Sequence, residues 1–349
     1  MSALRVLQAM AGAQHGGAEA FFTRLTVALS RAGLDQSIVM RRDPARADKL
    51  RAAGIEPVQL RFGGVLDVGT RLALVRELNA YRPHVVLTWM SRATRLMPPR
   101  FLAGGKYVHV ARLGGYYDLK YYRRCDHLVG NTRKIVEYIR GGGWPADRVH
   151  YLPNFVDVPR AAPVDRATLK TPSDATVALG LGRLHVNKAF DVALAAIART
   201  KDVWFWLAGE GELRAALEAD AARLGIRERV RFLGWRDDTA ALLSAADILI
   251  CPSRHEPLGN VVIEGWAARR PVIAAASDGP AALIKNGTSG LLVPVDDAEA
   301  LAAAIQRVAQ EPQLAAQLAA GGYAAYESEF TEAVVVRRYL EFFDRIARK

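Results

Sequence analysis

The stretch 248–275 constrains this chain more than any other. An apolar run ending at Cys251 reads as a buried strand, 252–259 as a loop, 260–268 as a helix and 271–275 as the next strand. In such a unit the loop lies at the carboxyl end of a parallel sheet. The helix aims its free backbone N–H groups into that loop, which favours an anion. Leu258, Gly259 and Asn260 are the expected donors, and Gly259 admits a close approach because it lacks Cβ. Glu256 and Glu264 frame the turn. A carboxylate cannot grip a phosphate, so this pair is expected to hold hydroxyls, such as those on both sides of the diphosphate of a nucleotide sugar.

The rest of the chain repeats the same alternation. Strand-like runs recur at 4–10, 37–40, 57–60, 84–89, 106–112, 127–130 and 149–152, with helical stretches such as 68–81 and 131–140 between them. Asn131 or Thr132 reads as a helix N-cap. Strands alternating with helices imply a parallel, doubly wound sheet. A second series opens at 176–181 and continues through 203–208, 230–233 and the 248–275 unit, and amphipathic helices are expected at 298–310 and 331–348. Residues 159–173, with three prolines and no periodicity, read as a linker. Two domains are therefore expected, 1–158 and 159–330.

Charge separates the two halves. Residues 1–158 hold 24 Lys and Arg against 12 Asp and Glu, whereas the remainder holds 23 against 24, so the whole excess of +11 comes from the first half. That asymmetry predicts an anionic partner, either a phosphate-bearing acceptor or the anionic cytoplasmic membrane face. The two cysteines, Cys125 and Cys251, lie far apart and support neither a disulfide framework nor a zinc site. No signal peptide or membrane span is read, so the expected location is cytoplasmic, with peripheral membrane association a further expectation. Within 114–124, Tyr116 and Tyr117 are interleaved with Lys and Arg, a mixture suited to a sugar surface or a membrane interface.

Several short motifs carry a family resemblance. Glu256-Pro-Leu-Gly-Asn-Val-Val-Ile-Glu264 resembles the E-x7-E motif of retaining, family-4-type glycosyltransferases of the GT-B fold (glycosyl transferases group 1). Gly182-Arg-Leu-His-Val-Asn-Lys188 resembles that family's G-R-L-x-x-x-K motif, Gly16-Gly-Ala-Glu19 its N-terminal glycine signature, and Pro153-Asn-Phe-Val-Asp157 its interdomain segment.

The resemblance implies two Rossmann-like domains facing across a cleft, with the last helix crossing back to the first domain. The donor would bind the second domain. Its diphosphate would lie on Arg183, Lys188, Gly16, Gly17 and the helix start at Gly259, its ribose on Glu264 and its sugar on Glu256. Its base would lie near Gly209, Gly211, Trp235 and Arg236. Arg183 and Lys188 would neutralise the leaving nucleoside diphosphate, with no metal and no cofactor beyond the nucleotide diphosphate sugar, UDP- ahead of GDP- or ADP-.

The acceptor, an anionic glycan or lipid-linked saccharide of the lipopolysaccharide type, would meet the first domain through His15, Arg112, Tyr116 and Tyr117. Two departures stand out. Ala189 replaces the family's glycine after the lysine, and 111–115 lacks its histidine, His109 lying too early on a strand and expected to face the sheet. A nucleotide-sugar epimerase of the same fold and a basic nucleic-acid-binding protein are the alternatives; no nucleic acid is the expectation.

Overall fold

A computed structural model of the chain describes residues 4–14, 16–64, 66–103 and 105–348. The chain divides into two units, Met1–Phe155 with Glu332–Lys349, and Val156–Thr331.

In the first unit, strands β1 (Arg5–Met10), β2 (Asp35–Arg41), β3 (Val58–Leu60), β4 (Val85–Trp89), β5 (Val108–Leu113), β6 (His127–Gly130) and β7 (Val149–Tyr151) alternate with helices α1 (Gly17–Arg31), α2 (Pro44–Ala52), α3 (Val68–Tyr81), α4 (Met90–Leu96) and α5 (Arg133–Gly141). All strand pairs are parallel, in the order β3-β2-β1-β4-β5-β6-β7. The second unit holds β8 (Thr176–Leu181), β9 (Val203–Ala208), β10 (Val230–Gly234), β11 (Ile248–Cys251), β12 (Val272–Ala275) and β13 (Leu291–Val293). Its helices are α6 (Phe190–Ile197), α7 (Arg214–Arg223), α8 (Thr239–Ala245), α9 (Asn260–Ala267), α10 (Asp278–Leu283), α11 (Ala298–Gln310) and α12 (Pro312–Glu329). Its order, β10-β9-β8-β11-β12-β13, reverses direction between β8 and β11 as the first sheet does between β1 and β4.

The two-residue period of a strand explains why both faces of each sheet are apolar. Val6 and Met10 join Val85, Leu87 and Trp89 in one core, whereas Leu7 and Ala9 join Val39 and Val86 in the core on the other face. The last helix, α13 (Glu332–Ala347), belongs to the first unit. Val335, Val336, Tyr339, Phe342, Phe343 and Ile346, spaced by a helical turn, enter the same core as Phe21, Phe22 and Leu25 of α1.

Two expectations need revision. Residues 159–173 are not a free linker but part of the second unit. The Arg166 guanidinium donates to Ala245 O, Ala175 O and the Asp247 carboxylate, and Val164 N donates to Ala241 O, so this polar segment is fastened by side-chain and backbone bonds rather than by periodic apolar residues. Of the two N-cap candidates for α5, Thr132 is the cap, its hydroxyl accepting from Ile135 N at 3.1 Å. Arg112, expected on the acceptor side, is 1% exposed. It shares a face of β5 with Val110 and lies beneath α13, donating to the Tyr339 hydroxyl at 3.0 Å and to Asn154 Oδ1, with its guanidinium over the rings of Trp89 and Phe21. It is a core arginine, satisfied by hydrogen bonds and aromatic faces.

His109 faces the sheet interior as expected. Its Nε2 lies 3.1 Å from the Thr88 hydroxyl, and burial pushes its pKa down to about 4. Burial, then the neighbouring His127, pushes His150 down to about 4 as well. Both rings are neutral in the folded chain and protonate more readily once unfolded. Their stabilisation is thus fully present above about pH 6.5 and is lost as pH falls towards 4. At His109 this contribution is on the order of 3 kcal/mol. Urea midpoints are expected to hold steady from pH 8 to 6.5 and fall below that, with a shallower fall in His109→Asn; equal slopes in the two proteins would contradict the assignment.

Candidate active site

Sheet order places the chemistry. In an open parallel sheet, ligands bind beyond the carboxyl ends of the strands where the order reverses. In the second unit that point lies between β8 and β11, and the loops leaving these strands are 182–189 and 252–259, the two motifs singled out above. The motifs touch. His255 N donates to Asn187 O at 3.2 Å, and Lys188 Nζ donates to Glu256 Oε2.

Glu256 is nine-tenths buried. Its second oxygen, Oε1, accepts from Gly259 N at 3.3 Å, at the start of α9. One of the three amides expected to face an anion is therefore held by this carboxylate, which occupies the positive end of the helix and meets Lys188 there. Burial acts to lower the Lys188 pKa, but the charges of Glu256, Cys251 and Glu264, with the Glu256 hydrogen bond, outweigh it and the net shift is upward. Lys188 stays a cation.

Gly259 has φ +79, and a Cβ there would lie 2.8 Å from Leu283 Cδ1, so this turn favours glycine. Leu258 and Asn260 flank it half-buried, and Asn260 Oδ1 is buried with no hydrogen-bond partner among the described residues. Glu264 lies one turn further along α9 and contributes to the field at Lys188.

Arg183 is mostly exposed and pairs with Glu212 at 3.2 Å. Between Arg183 and Lys188 the chain makes a tight turn over Val186–Lys188, after which Ala189 adopts φ +52. The sequence departure at Ala189 thus falls at a left-handed position that glycine would occupy without strain.

The ends of β8, β9 and β10 are zipped together. Gly182 N donates to Ala208 O, Gly209 N to Gly234 O and Leu184 N to Glu210 O, at 3.0, 2.8 and 2.9 Å. Gly211 lies against Leu184 O. Gly209 and Gly211 therefore hold the 182–184 turn in place. Beyond β10, Trp235 is 74% exposed, its indole N–H donating to Asp237 Oδ1 at 3.0 Å, and Arg236 pairs with Asp238. A tryptophan exposed at a strand end offers a free aromatic face.

Several residues escaped the sequence reading. Arg254 donates to Asp191 at 2.6 and 2.9 Å, to Val186 O at 3.0 Å and meets Asp296 at 2.5 Å, fixing the two motif loops to each other. Ser277, before α10, has a buried hydroxyl without a partner among the described residues. Gly279 N donates to Glu256 O at 2.7 Å, locking the backbone beneath the carboxylate. No periodic pattern marks such loop-to-loop ties; only the surplus of charged residues in short loops hints at them.

In the first unit, Gly16 caps α1 and Gly17 begins it, both exposed. Glu19 folds back into the loop, its Oε1 accepting from Ala13 N at 2.8 Å, so a carboxylate lies where the glycine signature was expected to meet phosphate. Tyr117 stands near Glu19, and burial followed by that charge raises its pKa; Tyr116 packs edge-on against Tyr138 at 5.3 Å. His15 lies outside the described residues.

The fold so built is GT-B: two doubly wound units of the same strand order, the second with a cation and two acids at its reversal point. A family model for Glycosyl transferases group 1 matches residues 175–311, and one for Glycosyltransferase Family 4 matches 15–160. The chain is 36% identical to the lipopolysaccharide core biosynthesis glycosyltransferase LpsE of Rhizobium meliloti, over 93% of this chain and 95% of that protein. It is likewise 36% identical to LpsD of the same organism, over 95% of each. Among solved structures, Anabaena HepE in complex with UDP superposes with a TM-score of 0.86 at 20% identity, covering 98% of this chain and all of that one. The chain belongs to the family-4 glycosyltransferases (glycosyl transferases group 1), enzymes of class EC 2.4. Among the described residues, no helix is long and apolar enough to cross a membrane.

Proposed function

We propose that this enzyme is a retaining, metal-independent glycosyltransferase of lipopolysaccharide core biosynthesis. It moves a sugar from a nucleotide diphosphate sugar, UDP- before GDP- or ADP-, to an anionic glycan or lipid-linked acceptor. The observation that carries the reading is the meeting of Lys188, Glu256 and the start of α9 where the second sheet reverses. The acceptor class is supported by the names of LpsE and LpsD at 36% identity over nearly the full chain.

In this reading Lys188 and Arg183 face the donor diphosphate, Glu264 the ribose, Glu256 the hydroxyls of the sugar, and Trp235 and Arg236 the base. The acceptor belongs to the first unit. The bond from C1 to the β-phosphate oxygen breaks, and the acceptor hydroxyl oxygen bonds to C1 on the same face. Its proton passes to the leaving phosphate, giving a glycoside and a nucleoside diphosphate. The two cations supply the charge that a divalent ion would otherwise bring. The basic first half supports a location on the anionic cytoplasmic membrane face.

The test pairs UDP-, GDP- and ADP-sugars with deacylated core oligosaccharide in the presence of EDTA, reading the product's anomeric configuration by NMR. The donor's configuration is expected in the product, at a rate the chelator leaves unchanged. An inverted product, or a rate restored only by manganese, would overturn the reading.

A further inference from the structure

We propose that an arginine-lined cavity of the first unit receives the anionic groups of the acceptor glycan. The inference rests on the transferase reading above and names the place and chemistry of acceptor docking. The cavity measures about 560 Å³ and is lined by Arg41, Arg71, Arg92 and Arg95 with Ser91 and Phe62. That volume falls in the range of about 300–1,000 Å³ common to ligand pockets.

No acid lines it. Among the described residues, the guanidinium groups of Arg41, Arg71 and Arg92 have no ion pair or hydrogen bond, and Arg95 has only the Tyr121 ring, 4.6 Å away. Two other arginines of the same unit are consumed by the fold. Arg46 is buried on Asp43, Ala13 O and Gln14 O, and Arg112 on Tyr339 and Asn154. Asp67, a few residues after Phe62, is occupied too, accepting from Gly63 N, Thr70 N and the Thr70 hydroxyl. Four cations gathered in one concavity without a counter-charge repel one another, an arrangement that an anion relieves.

Two further observations mark the place. The cavity lies beyond the carboxyl ends of β2, β3 and β4, the edge at which open parallel sheets bind ligands. Its lining holds one strained residue, buried Phe62 at φ +45, and the residue that precedes lining Ser91 in the chain, Met90, has φ +61. Left-handed backbone at large non-glycine residues is uncommon and clusters at functional sites. Arg41 also lines a second cavity, of about 250 Å³, with Gly12 and Ala13, so the arginine cavity abuts the glycine loop. A planar guanidinium binds two oxygens of a phosphate or carboxylate, which suits recognition of an acidic saccharide. The neighbouring exposed side chains Leu66, Val68 and Leu72 make a lipid surface the rival occupant.

The experiment titrates the full chain, with no donor present, with a deacylated phosphorylated core oligosaccharide and with the same oligosaccharide after phosphatase treatment. The phosphorylated form is expected to bind at least about tenfold more tightly. Arg71→Ala/Arg92→Ala, exposed positions whose loss spares the fold, should abolish that preference while binding UDP with wild-type affinity. A preference that survives in the double variant would overturn the proposal. So would a variant that binds both oligosaccharides as the wild type does but no longer sediments with phosphatidylglycerol vesicles, which would assign the arginines to the membrane. Because no donor is needed, a chain that binds the acidic glycan but transfers nothing would sink the transferase reading and leave this one intact.

Discussion

Lys188→Ala is expected to slow sugar transfer by about tenfold to over a hundredfold and to lower stability at the same time. The rate effect follows from removing a charge-assisted contact to the leaving diphosphate, about 1.5–3 kcal/mol. The stability effect has a different origin. Glu256 is nine-tenths buried, and without Lys188 its carboxylate keeps only the 3.3 Å contact with Gly259 N. Breaking a buried pair by removing one partner costs about 3–5 kcal/mol, because a charge is left uncompensated. The double variant Lys188→Ala/Glu256→Gln separates the two effects. It is expected to regain most of the lost melting temperature and none of the lost kcat. Recovery of both together would mean that Lys188 acts only through folding.

Gly209→Ala is expected to be the most damaging methyl group that can be added to the second unit's loops. Gly209 has φ +152, and a Cβ there would lie 1.9 Å from the carbonyl oxygen of Gly182. Backbone strain alone costs about 1–3 kcal/mol. A backbone oxygen cannot swing away as a side chain can, so the ends of β8 and β9 must part, breaking the Gly182 to Ala208 and Gly209 to Gly234 bonds. Stability should fall by more than about 3 kcal/mol, with affinity for UDP reduced at least tenfold because the 182–188 loop moves with its strand. Differential scanning calorimetry and UDP titration check both. A variant that melts and binds UDP as the wild type does would show that this zipper does not hold the loop.

Much of this was legible in the residues. Fully apolar runs such as Ile248–Cys251 and Val272–Ala275 are what strands buried on both faces must look like, and their alternation with helices left few topologies open. The meeting of Lys188 with Glu256, 68 positions apart, followed once both loops were assigned to carboxyl ends of one sheet. What escaped was set by tertiary partners. Arg112 shares its strand face with Val110, which hinted at an inward side chain. Its burial, though, is decided by Tyr339 of a helix more than two hundred residues away. Helices α7 and α12 were missed because their apolar residues form no clear stripe; their packing, not their pattern, makes them helical. The segment 159–173 was misread because prolines punctuate linkers and fastened surface segments alike, and bonds such as Arg166 on Asp247 and Val164 N to Ala241 O distinguish the two. The arginine cavity was visible only as an excess of charge in the first half, since its members come from the end of β2 and from helices α3 and α4.

A crystal structure of the chain soaked with UDP-sugar tests the central claim most directly. The diphosphate is expected within hydrogen-bonding distance of Lys188 Nζ and the first amides of α9, with the ribose hydroxyls on Glu264. A diphosphate bound away from the reversal point between β8 and β11, with Lys188 and Glu256 still paired only to each other, would contradict it.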